Sequence, residues 1–220
     1  AGAPYALKAV VEANERVRTA PQAYGPDAIW SPYEQEEGVR DEIMDCFYSG
    51  AEPATCVPDA MESAGAPAEA IAFTRATGGE GFLADFSEEG TVDLGGVFYP
   101  GRANGNFQSV LLNGSPPVVF VDGGEGVATI QASLDHSLIY RRVAERHSGV
   151  TMWPWSNRRE GIRQRASGGL RFLFSYPLKT CNACDPVAYA FTAFDFEAEG
   201  RFQGAELLFV SEDYDRGKAW

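Results

Sequence analysis

Cys181 and Cys184, in the stretch KTCNACDP, are two cysteines whose spacing suggests chemistry directly. Such a pair serves as a dithiol redox centre, as half of a zinc site, or as a staple at a chain reversal. A redox pair of the thioredoxin type needs its first cysteine at a helix N-terminus, where unpaired amides and the helix dipole favour the thiolate. Pro186 is able to open a helix, but the following VAYAFTAFDF (187–196) alternates β-branched and aromatic residues into an acidic turn, as a strand does. Asp185 places an anion beside the sulfurs, and an anion disfavours a thiolate. The expectation is a structural disulfide in a loop between two strands. Thiol–disulfide exchange at Cys181 and Cys184 stays open as the alternative.

A zinc site would need further ligands, and the chain has two histidines, His136 and His147. On a single helix their backbones would stand roughly 16 Å apart, too far for one ion with ligand bonds near 2 Å. No metal and no cofactor is expected. Ser133, Asp135, His136 and Ser137 adjoin in SLDHS, but neighbours on a helix point in different directions, and a catalytic triad is assembled by the fold. The G-x-S-x-G elbow is absent. GGEG occurs at 78–81 and again at 123–126, without the spacing or the following helix of a nucleotide fingerprint. Among the 31 acidic residues nothing singles out a carboxylate pair for glycoside hydrolysis. No catalytic residue is assigned, and an unrecognised hydrolase is the other enzymatic alternative.

The more distinctive stretch is MWPWSNRREGIRQR, 152–165. Residues 141–171 hold eight Arg and two Glu, a formal +6, so the remainder carries −19 of a total of −13. Trp153, Trp155, Arg158, Arg159, Arg163 and Arg165 are of the types that concentrate energy at recognition surfaces. The planar guanidinium fork grips carboxylates and phosphates. These six residues are the candidate binding site, for an anionic glycan, peptide or protein partner. The competing account has the tryptophans filling the core and the arginines neutralising the chain's own acids.

The composition constrains the rest. The net charge of −13 argues against a nucleic-acid binder, which would show a basic footprint. Apolar runs such as PPVVFV (116–121) are far shorter than the about 20 residues that span a bilayer, so no membrane span is expected. Four cysteines fall into two close pairs, Cys46 with Cys56 and Cys181 with Cys184, and local pairing is the economical connectivity. Disulfides persist in oxidising compartments. The expectation is an extracytoplasmic, periplasmic or secreted protein of bacterial type, and the start at Ala1 is compatible with a removed leader.

Elements must then position these residues. Residues 4–19 read as an amphipathic helix, with Leu7, Val10, Val11 and Val17 near one stripe. SPYE (31–34) offers a cap for a helix running to Ser49. Further helices are expected after Pro58 and from Pro67 to Gly78. Cys46 and Cys56 flank the turn between two of them, where a bridge contributes about 2–4 kcal/mol by limiting the unfolded chain. From residue 81 short apolar stretches are divided by Gly, Asn and Pro, as in strands and turns. Asn113–Gly114 suggests a tight reversal, and Pro116 and Pro117 put the next strand at an edge. The predicted architecture is one α+β domain over 1–220: a helical N-terminal third (1–78) packed on a twisted, mainly antiparallel sheet, with one helix near 135–147 among the strands of 79–220. The function expected is that of an exported, noncatalytic binding or accessory domain.

Overall fold

A computed structural model of the chain describes residues 23–103 and 105–217. The helix expected over 4–19 lies outside them. The fold is α+β with helices in the N-terminal part, as the periodicity predicts, and its strands divide between two antiparallel, curled sheets. The chain forms two compact units, one ending at Phe120 and the other beginning at Val121.

In the first unit, helices α1 (Glu37–Tyr48), α2 (Pro53–Ser63) and α3 (Ala68–Ala76) precede a four-stranded meander, β1 (Phe82–Ser87), β2 (Asp93–Phe98), β3 (Phe107–Leu112) and β4 (Val118–Phe120). The capping signal at SPYE is used, but by a shorter element. Ser31 accepts from the Tyr33 amide at 3.3 Å to start a 3₁₀ turn, Pro32–Glu34, and α1 begins separately at Glu37. The second helix starts at Pro53 instead of after Pro58. Pro53 takes the first helical position, where a missing N–H costs nothing, and Pro58 is carried inside. Val57, Pro58, Ala60 and Met61 make the buried stripe of α2. Val57, Ala60 and Met61 meet Ile43, Ile71 and Phe82, so the helical layer packs on β1. The Cys46–Cys56 disulfide ties α1 to α2 with Cα atoms 5.7 Å apart, as the local pairing predicts.

Asn113 does not make a two-residue turn. Its φ of 63° turns the chain into a longer connection, closed by the Asn113 amide donating to Pro117 O at 2.8 Å. Its side chain donates to Asp93 Oδ2 at 2.6 Å and accepts from the Tyr24 amide at 2.6 Å. Small polar residues tolerate this left-handed conformation best. β4 stands at the sheet edge, as its prolines imply.

In the second unit, β5 (Thr151–Met152) and β6 (Arg158–Gln164) both pair with β7 (Leu170–Lys179), followed by β8 (Ala188–Phe196) and β9 (Phe202–Ser211). Two helices precede these strands where one is expected: α4 (Gly124–Leu134) and α5 (Leu138–Arg146). The second GGEG therefore does open a helix, with Gly124 at φ 72°. A short α6 (Tyr214–Gly217) closes the described chain. Aromatic rings fill the sheet's core. Phe172, Phe174, Phe191, Phe194 and Phe196 are all fully buried, and Phe174 meets Phe194 edge-on at 5.7 Å.

Tyr176 is buried completely and donates its hydroxyl to Val121 O at 2.5 Å. Burial, and then the charge of Asp122, push its phenol well above 10.0. A folded-state pKa raised above the unfolded one gives stability that is present below about 10 and lost as pH climbs from there toward the folded value. The urea midpoint is expected to fall between about pH 9.5 and 11. Tyr176→Phe should flatten that fall by one proton's worth of slope; an unchanged slope would mean Tyr176 titrates normally. Tyr24 and Tyr140, raised in the same direction by burial, keep the remaining slope.

Candidate functional site

The candidate segment 152–165 is built as a short strand, a 3₁₀ turn (Pro154–Ser156) and the edge strand β6. Register decides what each side chain does. Arg158 pairs with Ser175, and Ser175 with Phe191 and then Phe209; Arg163 pairs with Arg171, and Arg171 with Asp195. Ser175 and Arg171 lie an even number of residues apart on β7, so both rows share one sheet face. Between them β6 carries a bulge: Arg159 faces Phe174, the next pair is Gly161 with Leu173, and Glu160 is the extra residue. A bulge re-aims a side chain out of the pleat. Here it delivers Glu160 to the hydroxyls of Ser175 and Tyr214, which donate to Glu160 Oε1 at 2.5 and 2.8 Å.

Tyr214 is itself held. Its ring lies 4.6 Å from that of Tyr189 and stacks on Phe191, and the Arg158 guanidinium sits 5.1 Å from its centroid. A hydrogen bond to Tyr214 is the main cause that raises the Arg158 guanidinium. Arg158, Tyr214 and Glu160 thus form a chain of contacts across α6 and β6. Beside them opens a recess of about 560 Å³, lined by Arg159, Glu160, Ile162, Arg163, Leu173 and Tyr214 with the Gly161 backbone. Arg159 and Arg163 are exposed and Glu160 is half-buried. The arrangement brings arginines and one oriented carboxylate to the β6 edge, and Ser175, which donates to that carboxylate, is fully buried.

The six residues singled out from the sequence therefore separate. Arg159 and Arg163 line the recess, and Arg158 braces it through Tyr214. Arg165 turns to the chain's own acids, 3.7 Å from Asp195, which Arg171 grips with two nitrogens at 2.7 and 2.6 Å. Trp153 and Trp155 pack edge-on at 5.1 Å, and Trp153 Nε1 donates to Lys179 O at 3.3 Å. They brace the β5–β7 end and are not among the recess residues. Glu160 and Tyr214 escaped sequence reasoning. A glycine within a strand hints at a bulge, so Gly161 was a usable signal for Glu160; for Tyr214, distant in the chain, there was none.

At the C-x-x-C loop the disulfide is formed, with Cα atoms 5.1 Å apart, and the Cys184 amide donates to Cys181 O at 3.2 Å, closing a turn. The chain after Asp185 is extended and enters β8 at Ala188, so no helix stands behind the sulfurs. His136 lies in the turn before α5 and His147 caps its end, so they do not share a helix. Ser133 donates to Thr129 O at 2.9 Å and Ser137 caps α5 by accepting from the Tyr140 amide. Among the described residues no group of three or more His, Cys, Asp or Glu is placed to hold a metal ion, and no helix is long and apolar enough to cross a membrane.

No protein-family model matches the chain, and no match to a curated protein or a solved structure was found.

Proposed function

We propose that this chain is an exported, noncatalytic recognition domain that takes an anionic ligand at the β6 edge. The observation that carries the reading is the recess at the β6 edge, whose lining includes Arg159, Arg163, Ile162 and Leu173. Arginines at the edge of a recess favour carboxylate, sulfate or phosphate groups, which the guanidinium fork can bind with two hydrogen bonds. The rest of the chain is strongly acidic, so this basic stretch is the part of the surface on which an anion is least repelled. Export rests on the two disulfides, which persist where the surroundings are oxidising.

The test uses three anions on different scaffolds: a galacturonate trimer, a sulfated hexasaccharide and a tri-aspartate peptide, each titrated calorimetrically. At least one is expected to bind, and the double variant Arg159→Gln/Arg163→Gln should weaken it about 100-fold, roughly tenfold per charge-assisted contact. Both arginines are exposed, so the melting temperature should move by no more than about 2 °C. Binding by none of the three, or wild-type binding by the double variant, overturns the proposal.

A further inference from the structure

In the first unit, Ala84 is the extra residue of a bulge in β1: Leu83 pairs with Val97, and the next pair is Asp85 with Gly96. Side chains alternate along a strand, so without the extra residue Asp85 would face the other side of the sheet. The bulge turns it onto the face that carries Phe98 and Gly96. On that face β3 sets Phe107 opposite Phe98. A Cβ on Gly96 would stand 2.4 Å from Phe107 Cζ and 2.9 Å from Asp85 Cγ. The Phe107 ring therefore lies along the sheet over the glycine, and its rim adjoins the carboxylate. The row continues through Phe98, which meets Tyr33 edge-on at 5.5 Å.

This row of rings is open to solvent. Phe107 and Tyr33 are 54% and 53% exposed, which marks a surface for contact with another molecule, and Asp85 is exposed beside them. Among the described residues no hydrogen bond or ion pair falls on the Asp85 carboxylate. Residues 23–120 hold sixteen Asp and Glu against three Arg, a formal −13. All three cations are engaged by other acids: Arg40 by Glu37 and Asp41, Arg75 by Glu62, and Arg102 by Glu80.

Charge and shape select the occupant. A neutral partner covering the rings would strand the Asp85 charge in a dry interface, a desolvation cost with nothing to offset it. An ammonium would meet the charge but has no flat face to lay on a ring. A guanidinium does both, since its plane stacks on an aromatic ring while its fork reaches a carboxylate. The surrounding negative charge favours the approach of a basic partner.

We infer that the Tyr33, Phe98 and Phe107 row is a docking surface for a basic protein partner, which lays an arginine on Phe107 and pairs it with Asp85. The surface lies in the first unit and stands independently of the anion site at the β6 edge.

Fluorescence anisotropy of labelled tetrapeptides tests this in about 150 mM salt, where long-range attraction is screened. Tetra-arginine is expected to bind, and tetra-lysine about threefold more weakly, because it neither stacks nor forks. Tetra-citrulline, offered to the same unmodified protein, should not bind, which keeps one arm independent of how any variant folds. Asp85→Asn should weaken tetra-arginine about fivefold and Phe107→Leu about threefold, as for an exposed ion pair and an exposed cation–π contact. Asp59→Asn removes the same charge from an exposed site on α2 and should change binding less than about twofold. No binding of tetra-arginine overturns the inference. Equal losses from Asp85→Asn and Asp59→Asn, or lysine binding as tightly as arginine, do so too, because diffuse acidity alone would then attract the peptide. Sedimentation examines the other occupant: a dimer of the unmodified chain that Phe107→Leu dissociates would assign the surface to a second copy and overturn the basic partner.

Discussion

Gly79→Ala is expected to cost about 3–5 kcal/mol and to unfold the first unit at correspondingly lower temperature. Gly78 and Gly79 end α3 in left-handed conformations, with φ of 71° and 80°. The Gly78 amide donates to Arg75 O and the Gly79 amide to Thr74 O, at 3.0 and 2.9 Å, so the last carbonyls of the helix are satisfied as in a Schellman cap. The two glycines differ in what surrounds them. A Cβ on Gly78 meets open space, whereas one on Gly79 would stand 2.0 Å from the carbonyl oxygen of Pro53 and 2.7 Å from the Ala54 nitrogen. Those are backbone atoms at the start of α2, which no rotamer change moves aside. Left-handed strain of about 1–2 kcal/mol applies to both positions, and overpacking of about 1–3 kcal/mol or more applies to Gly79 alone. Chemical unfolding of the two variants side by side checks this. Equal losses for Gly78→Ala and Gly79→Ala would show that α2 does not approach so closely.

The second large effect lies in the other unit. Phe194 is fully buried between Phe174 and Phe202. Phe194→Ala should cost about 3–5 kcal/mol through lost burial and the cavity left behind. Gly126, on α4, owes its identity to the same ring, because a Cβ there would lie 2.9 Å from Phe194 Cε1 and 3.2 Å from Ala205 Cβ. Gly126→Ala alone should therefore destabilise by about 1–3 kcal/mol. In the Phe194→Ala background the added methyl enters the vacated space, and the double variant should be at least about 1 kcal/mol more stable than the sum of the singles implies. Strict additivity would mean that α4 does not seat on Phe194.

How far the sequence alone reached differs element by element. Strands rich in alternating aromatics, such as 187–196, were legible because the period of two and the ring content leave few alternatives to a sheet. The same legibility settled the C-x-x-C: a strand after Asp185 denies the sulfurs a helix terminus, and the loop disulfide follows. Helix starts were harder. Pro58 looks like an entry point, yet the helix starts at Pro53, and the earlier start adds Val57 to Ala60 and Met61 on the Ile43 and Phe82 cluster. The helix at Gly124–Leu134 hid behind glycines that local propensity disfavours, of which Gly126 is required by close packing on Phe194.

Amino-acid order by itself determined the class of fold, the two disulfide pairs and the concentration of positive charge in 141–171, because each follows from local periodicity or from which residues are near neighbours in the chain. Which arginines face a recess, which neutralise Asp195, and that Glu160 stands among them was decided only by tertiary structure. The physical reason is strand register: one extra residue in β6 turns a side chain from one side of the sheet toward Ser175 and Tyr214, and pairing across strands distant in sequence is set by the packing of the whole sheet.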